Sequence, residues 1–240
     1  MSASIVRLEW RTAFARRRLL LWNLIVPLLL LAPVALSPAA APHRAAVYAV
    51  FFVFFGTFGS AIPLIRDARN GWNEKLLLTG YGPRRWLLER LLAGSSIDLA
   101  QLIPSVALVT VTAGAAPIPS GASLVAALAL ALLFANILGA VVAALVRSLA
   151  EGALGCAVVA LFALHFAGAF RTAPVGTWAD VAQTASPFRP LVEATRSLAA
   201  TGSAPSGAVW PWPVATAIAA LFLAVLVAPR IARRLSGGEF

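Results

Sequence analysis

Six long apolar stretches, at residues 19–36, 45–65, 91–113, 122–146, 152–170 and 209–229, constrain this chain more than anything else in it. A helix needs about 20 apolar residues to cross about 30 Å of hydrocarbon. The shortest stretch has 18 residues and reaches about 27 Å at about 1.5 Å per residue. Lipid admits only helices or closed barrels, because no water is there to satisfy backbone N–H and C=O groups. A barrel strand alternates polar and apolar residues, and these stretches do not. The expected fold class is an all-α membrane protein, a six-helix transmembrane bundle formed as a single domain over residues 1–240.

Composition agrees. Hydrophobic residues make up 60% of the chain and charged residues 12%, with a mean hydropathy of +0.87. Soluble domains are about half apolar and a quarter charged, so a soluble enzyme is excluded, and so is disorder. The net charge of +10 would suggest nucleic acid in a soluble protein. Here the placement of the basic residues gives another reason. Five precede the first stretch, six follow the second, one follows the fourth and three follow the sixth, fifteen in all. The alternate connections hold four: Arg44, Arg171, Arg189 and Arg196. The positive-inside rule then places both termini in the cytoplasm, and no nucleic-acid partner is needed. Eighteen of the 19 basic residues are Arg, which suggests GC-rich codons and a bacterial inner membrane. The single Cys excludes an internal disulfide, and His43 and His165 make a poor metal pair.

Three long segments lie outside the apolar stretches, and two of them, 66–90 and 171–208, are longer than connection requires. Residues 1–18 place Val6, Trp10, Ala13 and Phe14 toward one face and Arg7, Arg11 and Arg18 toward another, the pattern of an interfacial helix. With the long run after it, this segment reads as a retained signal anchor rather than a cleaved leader. In residues 66–90, Asn70-Gly71 makes a turn and residues 72–79 have the length of a short helix, stopped by Gly80-Tyr81-Gly82-Pro83. Trp72 and Leu76 would form its apolar face, with Asn73, Glu74 and Lys75 polar beside it; an ordinary charged loop is the competing reading. Residues 171–208 form an outer loop too long to be a plain connection. Its Ser186-Pro187-Phe188-Arg189-Pro190 is stiff, and residues 191–198 read as an amphipathic helix with Glu193 and Arg196 three apart. A re-entrant or interfacial helical pair is expected between spans five and six. Trp210 and Trp212 mark the outer interface of the last span.

Asp98 is the main ionisable residue inside a span, a position that is costly and usually paired or functional. The expected arrangement is a pair with an Arg near the interface, Arg66 or Arg90. Gln101 and Asn136 are expected to bond between helices, and Ala135, Gly139 and Ala143 form a small-residue stripe suited to close packing. Ser95 and His165 would be the pieces of an intramembrane protease, but they fall toward opposite leaflets. A phosphate-binding loop needs Lys after Gly, and the one Lys, Lys75, follows Glu74.

The order of these features resembles a bacterial ABC-2 type ABC transporter permease over nearly the whole chain. The resemblance rests on Leu8-Glu9-Trp10-Arg11, the cytoplasmic segment 70–75 followed by Gly82-Pro83-Arg84-Arg85 and Glu89-Arg90-Leu91-Leu92, and the outer run from Gly168-Ala169-Phe170 to Glu193-Ala194-Thr195-Arg196. Family members often carry a Glu-Arg or Glu-Lys pair, then Gly, then Thr or Ser in the cytoplasmic helix; residues 69–75 carry a looser version. The resemblance implies a coupling helix in which Arg69, Trp72, Asn73, Glu74, Lys75 and Leu76 contact a separate ATP-binding subunit. It implies a second permease copy or paralogue, and an outer gate element holding Pro187, Phe188, Pro190, Glu193 and Arg196. It implies export, with ATP and Mg2+ on the partner and no cofactor on this chain; the apolar, charge-poor composition points to a hydrophobic or amphipathic cargo, although polysaccharide, peptide and ion exporters share the scaffold. A stand-alone secondary transporter is the alternative, though the halves show no repeat; an intramembrane enzyme is the more distant one.

Overall fold

The structure is a computed structural model and describes residues 4–114, 117–203 and 210–236, with the side chains of 117–120 set aside. The connection between the stretches 91–113 and 122–146 falls partly on residues 115–116, and the start of the last stretch at 209 and the loop residues 204–208 also lie outside the described residues. Those described form ten helices and no strand. They are α1 (Ile5–Ala15), α2 (Arg17–Ala35), α3 (Ala41–Arg69), α4 (Trp72–Leu78), α5 (Pro83–Thr112), α6 (Pro117–Leu145), α7 (Leu149–Phe166), α8 (Trp178–Ala185), α9 (Arg189–Thr201) and α10 (Pro211–Leu235). Six of them, α2, α3, α5, α6, α7 and α10, are long and apolar enough to cross a membrane. The chain is an all-helical, multi-pass membrane protein.

Local chemistry sets the boundaries. Pro falls in the first turn of α3, α5, α9 and α10, where its missing N–H costs nothing. Ser148 caps α7 by accepting from the Glu151 N–H, and the Glu151 carboxylate reaches back to the Arg147 N–H at 2.8 Å, a variant of the reciprocal capping box. Gly71 takes φ +66° at the turn into α4, a backbone state that favours glycine. The first helix ends at Arg16 (φ −90°, ψ 57°), so Arg17 and Arg18 begin the first span instead of closing an 18-residue interfacial helix.

α3 and α6 form the centre, and α2, α7 and α10 stand outside with long rows of exposed apolar side chains. Small residues bring the central pair together. A Cβ at Gly139 would lie 2.5 Å from the Thr57 carbonyl oxygen, and one at Gly56 would lie 2.7 Å from Leu132. Ala135 and Ala143, on the same stripe as Gly139, are buried. Without a hydrophobic drive between helices in lipid, this close contact is a main source of packing energy. Phe52, Leu102, Leu128 and Leu132 fill the middle of the bundle, and Ile5, Leu64, Trp86 and Leu235 fill one end.

Candidate functional site

The basic segments converge at one end of the bundle. Arg69 Nη2 donates to the Arg147 carbonyl at 3.0 Å, and Asn73 Nδ2 donates to the Leu235 carbonyl at 3.3 Å. Glu89 accepts from the Ser4 hydroxyl at 2.9 Å and from the Ile5 N–H at 2.7 Å. The amino-terminal helix, the α3–α5 connection, the α6–α7 turn and the carboxyl-terminal helix therefore share one face of the molecule.

α1 is docked on α5 by polar contacts. Glu89, from α5, sits at the amino-terminal end of α1, where a carboxylate meets the unpaired N–H groups and the positive end of the helix dipole. Arg85 Nε holds the other Glu89 oxygen at 2.7 Å. Trp10 Nε1 donates to Ser96 Oγ at 3.1 Å. Buried Arg90 splits its guanidinium between Glu9 of α1 and Asp67 of α3. The inner face of α1 thus carries Ile5 and Glu9 with Trp10, while Phe14, expected on the same apolar face, is 59% exposed and stacks on Trp10 at 5.5 Å.

α4 lies between α3 and α5 at this end. Asn73, expected on its polar side, is fully buried, because its amide reaches the carbonyl at the end of α10. Leu76 and Leu77 pack on the core. Trp72, Glu74, Lys75 and Leu78 face outward, with Trp72 41% and Leu78 79% exposed. Arg69 is exposed and turned to the α6–α7 turn.

Asp98 does not pair with arginine. Arg90 is committed to Glu9 and Asp67, and Arg66 lies beside Asp67 at 3.4 Å. The Asp98 carboxylate is instead buried between helices, where Oδ2 accepts from Asn136 Nδ2 of α6 at 3.1 Å. A Cβ at Gly59 of α3 would stand 2.8 Å from both of its oxygens, so glycine is what lets α3 close on the carboxylate. Gln101 is buried but bonds to no described residue; it lines a cavity instead of bridging helices. That cavity, of about 470 Å³, runs among α1, α2, α3 and α5, with Asp98, Gln101 and Asn136 among its lining residues.

At the opposite end, Arg196 Nη2 donates to the Gly168 carbonyl at 2.7 Å and Arg44 Nη2 to the Ala199 carbonyl at 3.0 Å. Glu193 bonds Arg189 at 2.6 Å and lies 3.7 Å from Arg196. Pro187, Phe188 and Pro190 are buried, and Phe188 meets Phe134 edge-on at 5.2 Å. α9 sinks its apolar face against α3 and α6. His165 is exposed on α7, and its side chain forms no hydrogen bond to a described residue. Ser95 lies on α5 at the end toward Arg90.

The family model of the ABC-2 type transporter matches residues 3–199. The chain belongs to the ABC-2 type transporter family. Comparison with curated proteins and with solved structures found no match. An ABC-2 membrane domain is the permease component of an ABC transporter and is not itself catalytic, and the family implies an ATP-binding partner subunit. The match ends within α9, so in this ABC-2 chain it takes in α1, α4, the Arg90 cluster and the Asp98 cavity. The Arg90 cluster is what residue-type reading missed. Its one signal was an acid or base on each of three segments that the charge count had placed on one side.

Proposed function

We propose that this chain is the membrane-spanning subunit of an ATP-driven exporter in a bacterial cytoplasmic membrane, with both termini cytoplasmic. It pairs with a second permease copy or paralogue and seats α4 in a separate ATP-binding subunit, which carries ATP and Mg2+. The cargo is hydrophobic or amphipathic, and it leaves the cytoplasm as closure of the ATP-binding pair moves the spans. The outer element from Pro187 to Arg196 then serves as part of the gate.

The observation that carries this reading is α4. Seven residues long, it is fixed from behind by Asn73 and Leu76 and offers Trp72, Lys75 and Leu78 to whatever lies beyond. It also joins α3 and α5 directly, so a push on α4 reaches two spans. α1 lies next to it through α5 and is tied to the same two spans by Arg90. The test is affinity purification of the tagged chain in mild detergent, with mass spectrometry and an ATPase assay of the eluate. An ATP-binding subunit with hydrolysis supports the reading. A folded chain that emerges alone and inactive overturns it.

A further inference from the structure

The cavity beside Asp98 combines features that point to one chemical class of ligand. Its walls are apolar and aromatic, with Leu20, Phe55, Phe58 and Ile97 among them. Its charged residues, Glu9, Arg16, Arg66 and Arg90, belong to the basic end. Asp98 lies eight residues beyond Arg90 on α5, about 12 Å deeper at helical rise. Asp98 is 6% exposed and forms no ion pair among the described residues. Asn136 engages only Oδ2, and Oδ1 accepts from no described donor. The Asn136 side-chain oxygen is buried against Gly94 of α5, away from the open space.

We infer that this cavity binds a protonated organic amine carried on an apolar body, with Asp98 as its counter-ion. A carboxylate enclosed by helices is costly unless paired, and an ammonium group supplies both the charge and an N–H donor for Asp98 Oδ1. Phe55 and Phe58 provide aromatic surface of the kind that attracts organic cations. The volume is that of a site for a drug-sized molecule. A divalent metal is disfavoured, since no group of three His, Cys, Asp or Glu is assembled among the described residues and hard cations take six or more oxygens. An anion is disfavoured because Arg66 and Arg90, the cations on the helices that flank Asp98, already face carboxylates. Arg16 is left at the mouth.

Calling the amine cargo rests on the permease reading; its binding does not. The experiment uses the full chain in phosphatidylcholine nanodiscs, without ATP or partner. It compares dansylcadaverine, a primary amine on an apolar ring system, with its N-acetylated neutral form, by fluorescence titration against empty nanodiscs. The amine is expected to bind at least about tenfold tighter than the acetylated compound. Asp98→Asn, which keeps a hydrogen bond to Asn136, removes that preference, and Asp98→Glu restores it. Ile97→Trp, which fills the cavity and leaves Asp98 in place, abolishes binding of both compounds, and retained binding of the acetylated compound by Asp98→Asn shows that this variant is folded. Equal binding of the two compounds, as when Asp98 holds only a proton, overturns the inference, and so does unchanged amine binding in Ile97→Trp. Such a failure leaves the ATPase purification result untouched, and a failed purification leaves the titration untouched.

Discussion

Asn136 donates from Nδ2 to Asp98 Oδ2 at 3.1 Å and to the Leu132 carbonyl at 2.9 Å, so one amide links the α5 carboxylate to the backbone of α6. Asn136→Leu removes the only described donor to Asp98 and leaves a buried acceptor unsatisfied, at a cost of about 1–3 kcal/mol. Replacing both partners by Leu removes the orphan as well. The double variant is therefore expected to melt above Asn136→Leu, with clear non-additivity. Thermal unfolding in detergent, followed by circular dichroism, reads this directly. Strict additivity would mean that the two side chains do not interact.

Arg90 predicts a different failure. Removing it strands Glu9 and leaves Asp67 with Arg66 alone, and cutting one partner from a buried ionic cluster costs about 3–5 kcal/mol. The damage falls on the attachment of α1, which is held otherwise by the Glu89 and Ser96 contacts. Arg90→Leu is expected to expose α1 and speed tryptic cleavage at Arg7 and Arg11 before the spans unfold. Arg90→Lys gives a partial effect, since one ammonium lacks the planar fork that serves two carboxylates. Cleavage at the wild-type rate in Arg90→Leu would remove the cluster as the anchor of α1.

Much of this arrangement was legible in the sequence, for a physical reason. Apolar runs such as 122–146 leave the backbone one solution in lipid, and Gly71 and Gly80 bracket α4 with conformations other residues avoid. What was not legible is which charge meets which. Arg90 and Asp98 share a helix but lie eight residues apart, about 12 Å at helical rise, beyond the i,i+3 and i,i+4 spacings at which side chains pair, which leaves the partners of Arg90 to other helices. The choice was made by Glu9, 81 residues away from Arg90, once α1 folded back on α5. Asn73 is similar. Its polarity suggests an outward face, and only the carbonyl of Leu235, 162 residues away, explains its burial.

α4 separates docking from anchoring. Trp72→Asp alters a side chain that is 41% exposed and lies outside the core clusters, so stability should change little, by about 0.5 kcal/mol. If α4 is the coupling helix, that variant loses the ATP-binding subunit in the purification, or retains it with hydrolysis no longer stimulated. Asn73→Leu does the reverse. It leaves the outward face intact but breaks the tie to α10 and destabilises by about 1–3 kcal/mol. Transport and ATPase capture unchanged in Trp72→Asp would remove α4 from the coupling role.

The glycine contacts set the last expectation. At Gly139 a methyl group would sit 2.5 Å from the Thr57 carbonyl oxygen, 3.0 Å from the Ser60 Cβ and 3.2 Å from the Ala61 N. Two of the three are backbone, so neither a rotamer change nor a flexible side chain relieves the clash. α6 must move off α3, and overpacking of this kind costs about 1–3 kcal/mol. Gly121, on the same helix, has nothing within 4 Å of the added methyl, and there the gain in helix propensity is up to about 1 kcal/mol. Gly139→Ala is therefore expected to melt lower than wild type and Gly121→Ala at or above it, in the same detergent and by the same probe. Equal melting of the two variants would show that the α3–α6 contact is not closed by Gly139.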